Sequence, residues 1–208
     1  MPNSLTAFDE ALRQELLEMA ALDLSTRERL AADGSLFASG YHPEMEAVHD
    51  RHAARLRAVL DASGWPGRSR VGDDGASAAW LVLQHAIGHP GLQRRGLELL
   101  RQAAAAGEVA LDEVARLEDR IRLFEGRLQL YGTHYDWDDQ GQLSPLPIED
   151  PDGVDERRAA MELPSLLEQL TLVRAAARMD GERPLTPADR TARAAEFRAW
   201  AERRGWRG

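Results

Sequence analysis

The chain has 208 residues, of which 43% are hydrophobic and 29% are charged, and this composition is typical of a globular protein with one full core or at most two small domains. It has no cysteine, which excludes disulfides, thiol nucleophiles and thiolate metal sites. The net charge of −9 argues against nucleic acid as a partner. No apolar run is long enough for a membrane helix and no signal-peptide pattern is present, so we expect a cytoplasmic protein.

Three helices are predicted in the first third of the chain. Apolar residues at helical spacing predict an amphipathic helix over residues 5–22. The run Ser25-Thr26-Arg27-Glu28 has the form of a capping box, which predicts a second, short helix that ends near Gly34. A third helix is predicted over residues 44–62, and a turn-rich connection over residues 68–75 follows it.

The most apolar helical stretch is predicted over residues 76–87, and it contains two polar residues, Gln84 and His85. A helix that is apolar nearly all round lies in a core, where an unpaired polar group costs roughly 1–3 kcal/mol. The two side chains therefore either have partners or line an internal pocket. Further helices are predicted over residues 91–106 and 111–125.

Residues 126–155 lose the helical period and are rich in Gly, Pro, Asp and aromatic residues. Residues 128–135 alternate enough to predict a strand, and residues 142–144 are predicted to pair with it as a hairpin. Helices are expected again over residues 156–162 and 164–179, and a last one begins after Thr186, a cap residue followed by proline.

These patterns predict an all-α protein with a single domain over residues 1–208, a helical bundle with one long polar and aromatic loop or small β-hairpin at about residues 126–155. The bundle would contain N-terminal helices over 1–34, core helices over 44–125 and C-terminal helices over 156–208.

His85 is the main candidate for catalysis. An apolar setting disfavours the charged form of an imidazole, which keeps it usable as a base near neutral pH. Asp119 is a candidate to fix the tautomer of His85, and Arg120 to bind an anionic group of a substrate. We expect helices 44–62, 76–87 and 111–125 to wall the pocket and residues 126–136 to cover it.

Seven side chains form the predicted metal-free site. Each could instead have a purely structural role: His85 could form a hydrogen bond in the core, Asp119 and Arg120 could form a surface ion pair, and Tyr131 could simply pack. The predicted catalytic residues are His85, Asp119 and Tyr131, and the predicted substrate-binding residues are Gln84, Arg120, Gln129 and His52.

A divalent metal site is the second hypothesis. His49 and His52 are three residues apart on one helix, a spacing that can present two imidazoles to one ion. Glu46 precedes His49 by three residues, as in one half of a carboxylate-bridged di-iron motif, but no second such motif occurs. No metal or other cofactor is favoured on this pattern, and the candidate ligands for the alternative are His49, His52, His85, His89, His134 and Asp119.

Several segments together resemble the bacterial family known as domain of unknown function 6624. They are Gly64-Trp65-Pro66, Val71-Gly72, Ala79-Trp80-Leu81 with Gln84-His85, Glu118-Asp119-Arg120, Gln129-Leu130-Tyr131-Gly132-Thr133 and, later, residues 147–151 and 154–158. The resemblance runs from about residue 20 to 175. It brings no catalytic assignment, but the family's motifs fall on six of the predicted site residues, which are Gln84, His85, Asp119, Arg120, Gln129 and Tyr131. Three histidines, His52, His89 and His134, depart from the family pattern, which weakens a metal site common to the family.

The sequence contains neither a phosphate-binding glycine loop nor a Gly-x-Ser-x-Gly elbow. The leading functional hypothesis is therefore an enzyme that uses His85 for proton transfer on a polar small molecule or peptide. The alternatives are a divalent-metal-dependent enzyme and a non-catalytic interaction or immunity-type module whose acidic surface binds a basic partner.

Overall fold

The computed structural model describes residues 7–37, 40–179 and 186–207. In this part of the chain the protein is mostly helical with one small antiparallel hairpin, which confirms the predicted all-α class. The helices are α1 (Glu10–Ala32), α2 (Pro43–Ser63), α3 (Arg68–His85), α4 (Pro90–Ala105), α5 (Leu111–Phe124), α6 (Val154–Ala160), α7 (Leu166–Met179) and α8 (Pro187–Arg203), and the strands are β1 (Tyr135–Trp137) and β2 (Leu143–Pro145).

The chain forms two compact units, Met1–Ala110 and Leu111–Gly208. In the first unit α1 lies along α3, and α2 packs against both. Leu16 of α1 is buried in a core that includes Val71 and Ala79 of α3, and the small side chains on α3 allow the two helices to approach closely. This packing aligns the buried faces of α1, α2 and α3, from which the candidate site is built.

The second unit contains α5 to α8 and the hairpin. Phe124 at the end of α5 stacks on Phe197 of α8 and on Trp206, with ring centroids 5.3 and 4.9 Å apart. Aromatic residues of the carboxyl-terminal segment thus contact the end of α5, although Phe197 remains 38% exposed and only Trp206 is buried. Thr186 caps α8 as predicted, because its side chain accepts a hydrogen bond from the Asp189 backbone N–H.

Two predicted helix boundaries are wrong. Helix α1 runs without a break through the proposed capping box, because the Ser25 and Thr26 hydroxyls donate back to the Leu22 carbonyl rather than capping a new helix. Helix α3 begins at Arg68 instead of residue 76, and Gly72, with a φ of 74°, kinks its first turns.

The predicted strand over residues 128–135 is also wrong. The paired strand begins only at Tyr135, and Gln129 forms a single bridge to Ile148. Several backbone N–H and C=O groups of residues 130–133 instead form hydrogen bonds with side chains, as described below.

Among the residues that the structure describes, none of the helices combines the length and apolar character needed to cross a membrane.

Candidate functional site

Asp23 lies on the buried face of α1 and is fully enclosed, with 0% of its surface exposed. It follows Leu16, Met19 and Ala20 at helical spacing and so continues the apolar stripe into the core. A carboxylate in this position requires partners, because an ionised group without them is strongly disfavoured in a protein interior. Its partners come from α2 and α3.

His85, the last residue of α3, is the first partner of Asp23. Its Nδ1 lies 2.9 Å from Asp23 Oδ2 and 3.0 Å from Oδ1. About 20% of the His85 side chain is exposed, so the ring extends from the buried carboxylate to the protein surface. Fully buried Gln93 of α4 holds this end of α3, because its amide N–H groups donate to the carbonyls of Leu83 and Gln84, each at 2.9 Å.

His49 of α2 is the second partner of Asp23, and only 7% of its surface is exposed. Its Nδ1 forms a hydrogen bond with the Tyr41 hydroxyl, which fixes the orientation of the ring. Its Nε2 lies 2.9 Å from Asp23 Oδ2, but the direction of this contact is not that of a hydrogen bond. Among the described residues, this buried nitrogen therefore has an ion-pair contact without a hydrogen-bond partner.

The electrostatics of the cluster favour an ionised carboxylate. Burial alone would raise the pKa of Asp23, but the contacts with His49 and His85 outweigh burial and hold the pKa below its ordinary value. The two imidazole rings are 5.3 Å apart between centroids, and both contact Oδ2 of the Asp23 carboxylate. Asp23 is thus a buried negative charge flanked by two groups that can bind either a proton or a metal.

Among the described residues, one group of histidine, aspartate and glutamate side chains brings three potential metal ligands together, and it consists of Asp23, His49 and His85. The atoms from Asp23, His49 and His85 all lie within 4.8 Å of one another. We refer to Asp23, His49 and His85 as the Asp-His-His cluster. Each member comes from a different helix, so the packing of α1, α2 and α3 holds their relative positions.

The other candidates of the first unit lie outside this group. His52 is 4% exposed, and burial lowers its pKa despite the attraction of Asp23, so it is a neutral core histidine. His89 Nε2 lies 2.9 Å from a carboxylate oxygen of Asp50. Gln84 is half-buried, and its carbonyl is one of the two that Gln93 binds.

Asp119 of α5 has a different role from the one the sequence predicts. It is also 0% exposed, but its oxygens accept hydrogen bonds from the backbone N–H groups of Leu130, Tyr131 and Thr133 and from the Thr133 hydroxyl. The carboxylate bonded to His85 is Asp23. Asp119 instead fixes the segment that follows α5.

The remaining candidates of the second unit surround the same segment. Gln129 is fully buried, and its amide donates to the carbonyls of His134 and Leu146 while its oxygen accepts from the His134 N–H. The Tyr131 backbone is held between Asp119 and Arg158. Arg120 is half-buried on α5.

Sequence reasoning missed Asp23, Tyr41 and Arg158. For Asp23 a signal was present, since an aspartate that continues an apolar stripe without a break is unusual on a solvent-exposed face. Tyr41 lies in an irregular segment and Arg158 on a short helix rich in charge, and neither pattern distinguishes them from surface residues.

Comparison with known proteins identifies the family alone. The family of unknown function DUF6624 matches residues 10–180, a range that contains all three members of the Asp-His-His cluster and the segment bound by Asp119. Comparisons with curated proteins and with solved structures give no match. Because the match spans most of the sequence, the chain belongs to the family of unknown function DUF6624.

Proposed function

We propose that this protein is a divalent-metal-dependent enzyme whose ion is held by Asp23, His49 and His85 and which acts on a polar small molecule or peptide. The observation that carries the proposal is the convergence of three potential ligand atoms within 4.8 Å, one of which, His49 Nε2, is buried without a hydrogen-bond partner. A metal ion would give that nitrogen the partner that the side chains around it do not.

The distances fit coordination. Two bonds of about 2.05 Å that meet at a right angle separate their ligand atoms by about 2.9 Å. The same value is found between Asp23 Oδ2 and each of His49 Nε2 and His85 Nδ1. At the tetrahedral angle of a zinc site the same bonds would separate the ligand atoms by about 3.3 Å, so binding of Zn²⁺ would require the side chains to move apart by a few tenths of an ångström.

The Tyr41–His49 hydrogen bond supports this interpretation. A histidine that binds a metal through one nitrogen usually has its other nitrogen bonded to a neighbouring group, which fixes the ring and its tautomer. In this protein the Tyr41 hydroxyl is hydrogen-bonded to Nδ1 of His49, and Nε2 is the nitrogen that contacts Asp23.

The donor set favours a transition metal. Two imidazoles and one carboxylate suit Zn²⁺, Mn²⁺, Fe²⁺ or Ni²⁺, whereas Mg²⁺ and Ca²⁺ prefer oxygen ligands alone. Three protein ligands leave coordination positions for water and substrate, as in catalytic rather than structural sites. The ion would lower the pKa of a bound water toward neutrality, so the favoured chemistry is attack of that water on a carbonyl or phosphoryl group of the substrate.

Metal binding is tested on protein purified without a histidine tag. We expect near-stoichiometric metal by elemental analysis, either as purified or after reconstitution, and Asp23→Asn and His49→Gln to weaken Zn²⁺ or Co²⁺ binding by more than about 100-fold. His89→Gln is the matched control, because His89 follows His85 by four residues in the chain, precedes α4 and bonds to Asp50 instead of Asp23. Absence of metal after reconstitution, or equal weakening in the control, would refute the proposal.

A second candidate is metal-free acid–base catalysis by His85, and the hydrogen bond from His85 Nδ1 to Asp23 favours it. An aspartate in this position orients the imidazole and leaves Nε2 as the basic nitrogen. Turnover of a metabolite or peptide panel by wild-type protein, with and without a chelator, separates the two mechanisms. Activity that survives metal removal and is lost in His85→Ala would support the metal-free route.

A further inference from the structure

The second unit contains a small cavity that the proposed function does not use. Two arginines and two hydroxyl-bearing residues contribute to its lining, and the space admits about one particle of the size of a water molecule. The lining residues are Arg116, Thr133, Tyr135, Arg158, Leu163 and Gln169.

Arg158 of α6 is almost completely buried, with 1% of its surface exposed. Its Nε donates to the Pro164 carbonyl at 2.7 Å and its Nη1 to the Tyr131 carbonyl at 2.6 Å. Its Nη2 is buried without a hydrogen-bond partner, and among the residues described no carboxylate lies within ion-pair distance of the guanidinium. A permanently charged group in this setting favours an anion beside it.

Tyr135 supplies a second donor at the same cavity. Its hydroxyl oxygen is buried and, within the described ranges, has no hydrogen-bond partner. Burial raises the pKa of Tyr135, so the hydroxyl keeps its proton at neutral pH. The Arg158 guanidinium lies beside this hydroxyl and partly offsets the effect of burial on its pKa, so the two groups face the same space, and the Tyr135 O–H has no acceptor among the described residues.

Arginine side chains act electrostatically on the residues around the cavity, although Arg116 is itself paired with Asp112 at 3.2 Å. Burial, with Arg120 and Arg116, lowers the pKa of neighbouring His134 to about 3, so that ring is neutral near pH 7. Asp119 acts on the same region, but its oxygens already accept from three backbone N–H groups and from Thr133. The carboxylate of Asp119 is therefore engaged by the protein itself.

We infer that this cavity binds one small monovalent anion, of the size of chloride or of a formate oxygen, through Arg158 Nη2 and Tyr135 Oη. The segment Gln129–Tyr135 shapes the site, since Thr133 and Tyr135 line the cavity and Arg158 binds the Tyr131 carbonyl. This site is independent of the proposed metal centre.

Anion-dependent thermal stability tests the inference on the full-length protein. Melting is measured at constant ionic strength in sodium chloride, in sodium formate and in sodium gluconate, whose anion is too large for the cavity. An anion that binds only the folded state raises the melting temperature, and at tenfold its dissociation constant we expect a rise of about 3 °C with saturating concentration dependence. A rise with chloride alone identifies a halide site, and a rise with formate identifies a carboxylate site.

Tyr135→Phe removes the hydroxyl donor and should abolish most of the anion-specific rise. Arg127→Gln is the matched control, because Arg127 is an exposed arginine of the same unit that does not line the cavity. Equal melting of wild-type protein in all three salts would show that the cavity holds only water and would overturn the inference. The same rise in Tyr135→Phe as in wild type would do so as well.

Discussion

Two aspartates of this protein are completely buried, and they are stabilised in opposite ways. Asp119, in the second unit, accepts hydrogen bonds from three backbone N–H groups and one hydroxyl. Asp23, in the first unit, contacts the imidazoles of His49 and His85. Backbone donors cannot change their charge or bind an ion, whereas imidazoles can do both.

Under the proposed function, this difference separates a carboxylate that supports structure from one that binds a metal. Both side chains are fully buried, so burial by itself does not identify a site. What distinguishes Asp23 is that its neighbours are themselves titratable and able to ligate a metal. The contrast predicts that Asp119 contributes mainly to stability and Asp23 mainly to binding.

The largest effect is expected from Asp119→Ala. The change leaves three backbone N–H groups of a part-buried segment without their acceptor, which should lower the free energy of unfolding by about 3–5 kcal/mol. Urea unfolding followed by circular dichroism measures the loss. Asp119→Asn, which retains one acceptor oxygen, should recover about half of it, and a loss below about 1 kcal/mol in the alanine variant would remove the structural role.

An intermediate effect is expected from His134 at mildly acidic pH. The pKa of His134 is lowered from 6.5 to about 3 by burial and by Arg120 and Arg116. Between these values the unfolded chain binds more protons than the folded chain, so stability is fully present above pH 6.5 and falls as the pH falls toward 3. Between pH 7 and pH 5 wild-type protein should lose about 1–2 kcal/mol more than His134→Gln. Parallel pH profiles of the two proteins would contradict this assignment.

The smallest effect on stability is expected from Asp23→Asn in metal-free protein. A histidine that loses its anionic partner can release its proton at neutral pH, which an arginine cannot do, so no uncompensated charge remains. We expect a loss of about 1 kcal/mol at pH 7, because the lowered pKa of Asp23 means that its ionised carboxylate contributes to stability there, and the same unfolding experiment measures the loss. A loss as large as that of Asp119→Ala would show that both carboxylates are needed for stability and would contradict the proposed difference between them.

Much of the fold could be predicted from the sequence. The spacing of apolar residues is a local property, and it indicated α2, α4, α5 and α7 to within a few residues. The errors occurred where one local sequence pattern is compatible with two different structures. Ser25 and Thr26 can cap a new helix or donate back to Leu22 within an existing one, and the packing of α1 on α3 favours the continuous helix.

The site was predicted less completely, for a geometrical reason. His85 and His49 were recognised as candidates, because their residue types and spacing are visible in the sequence. Their convergence with Asp23 depends on how α1, α2 and α3 are rotated about their axes, and single-sequence periodicity gives the buried face of each helix but not which residues meet. Asp119 was paired with His85 on chemical grounds, although the segment that needs its oxygens follows directly after α5.

The turn between Leu130 and Thr133 is held from two sides by opposite charges. Asp119 accepts hydrogen bonds from its N–H groups. Arg157 donates to the Leu130 carbonyl at 2.8 Å, and Arg158 donates to the Tyr131 carbonyl at 2.6 Å. A backbone whose donors and acceptors are already occupied offers little to an incoming peptide strand and has few alternative conformations. Such a turn is a preformed scaffold that keeps its shape before any ligand arrives, and recognition at this position falls to side chains alone.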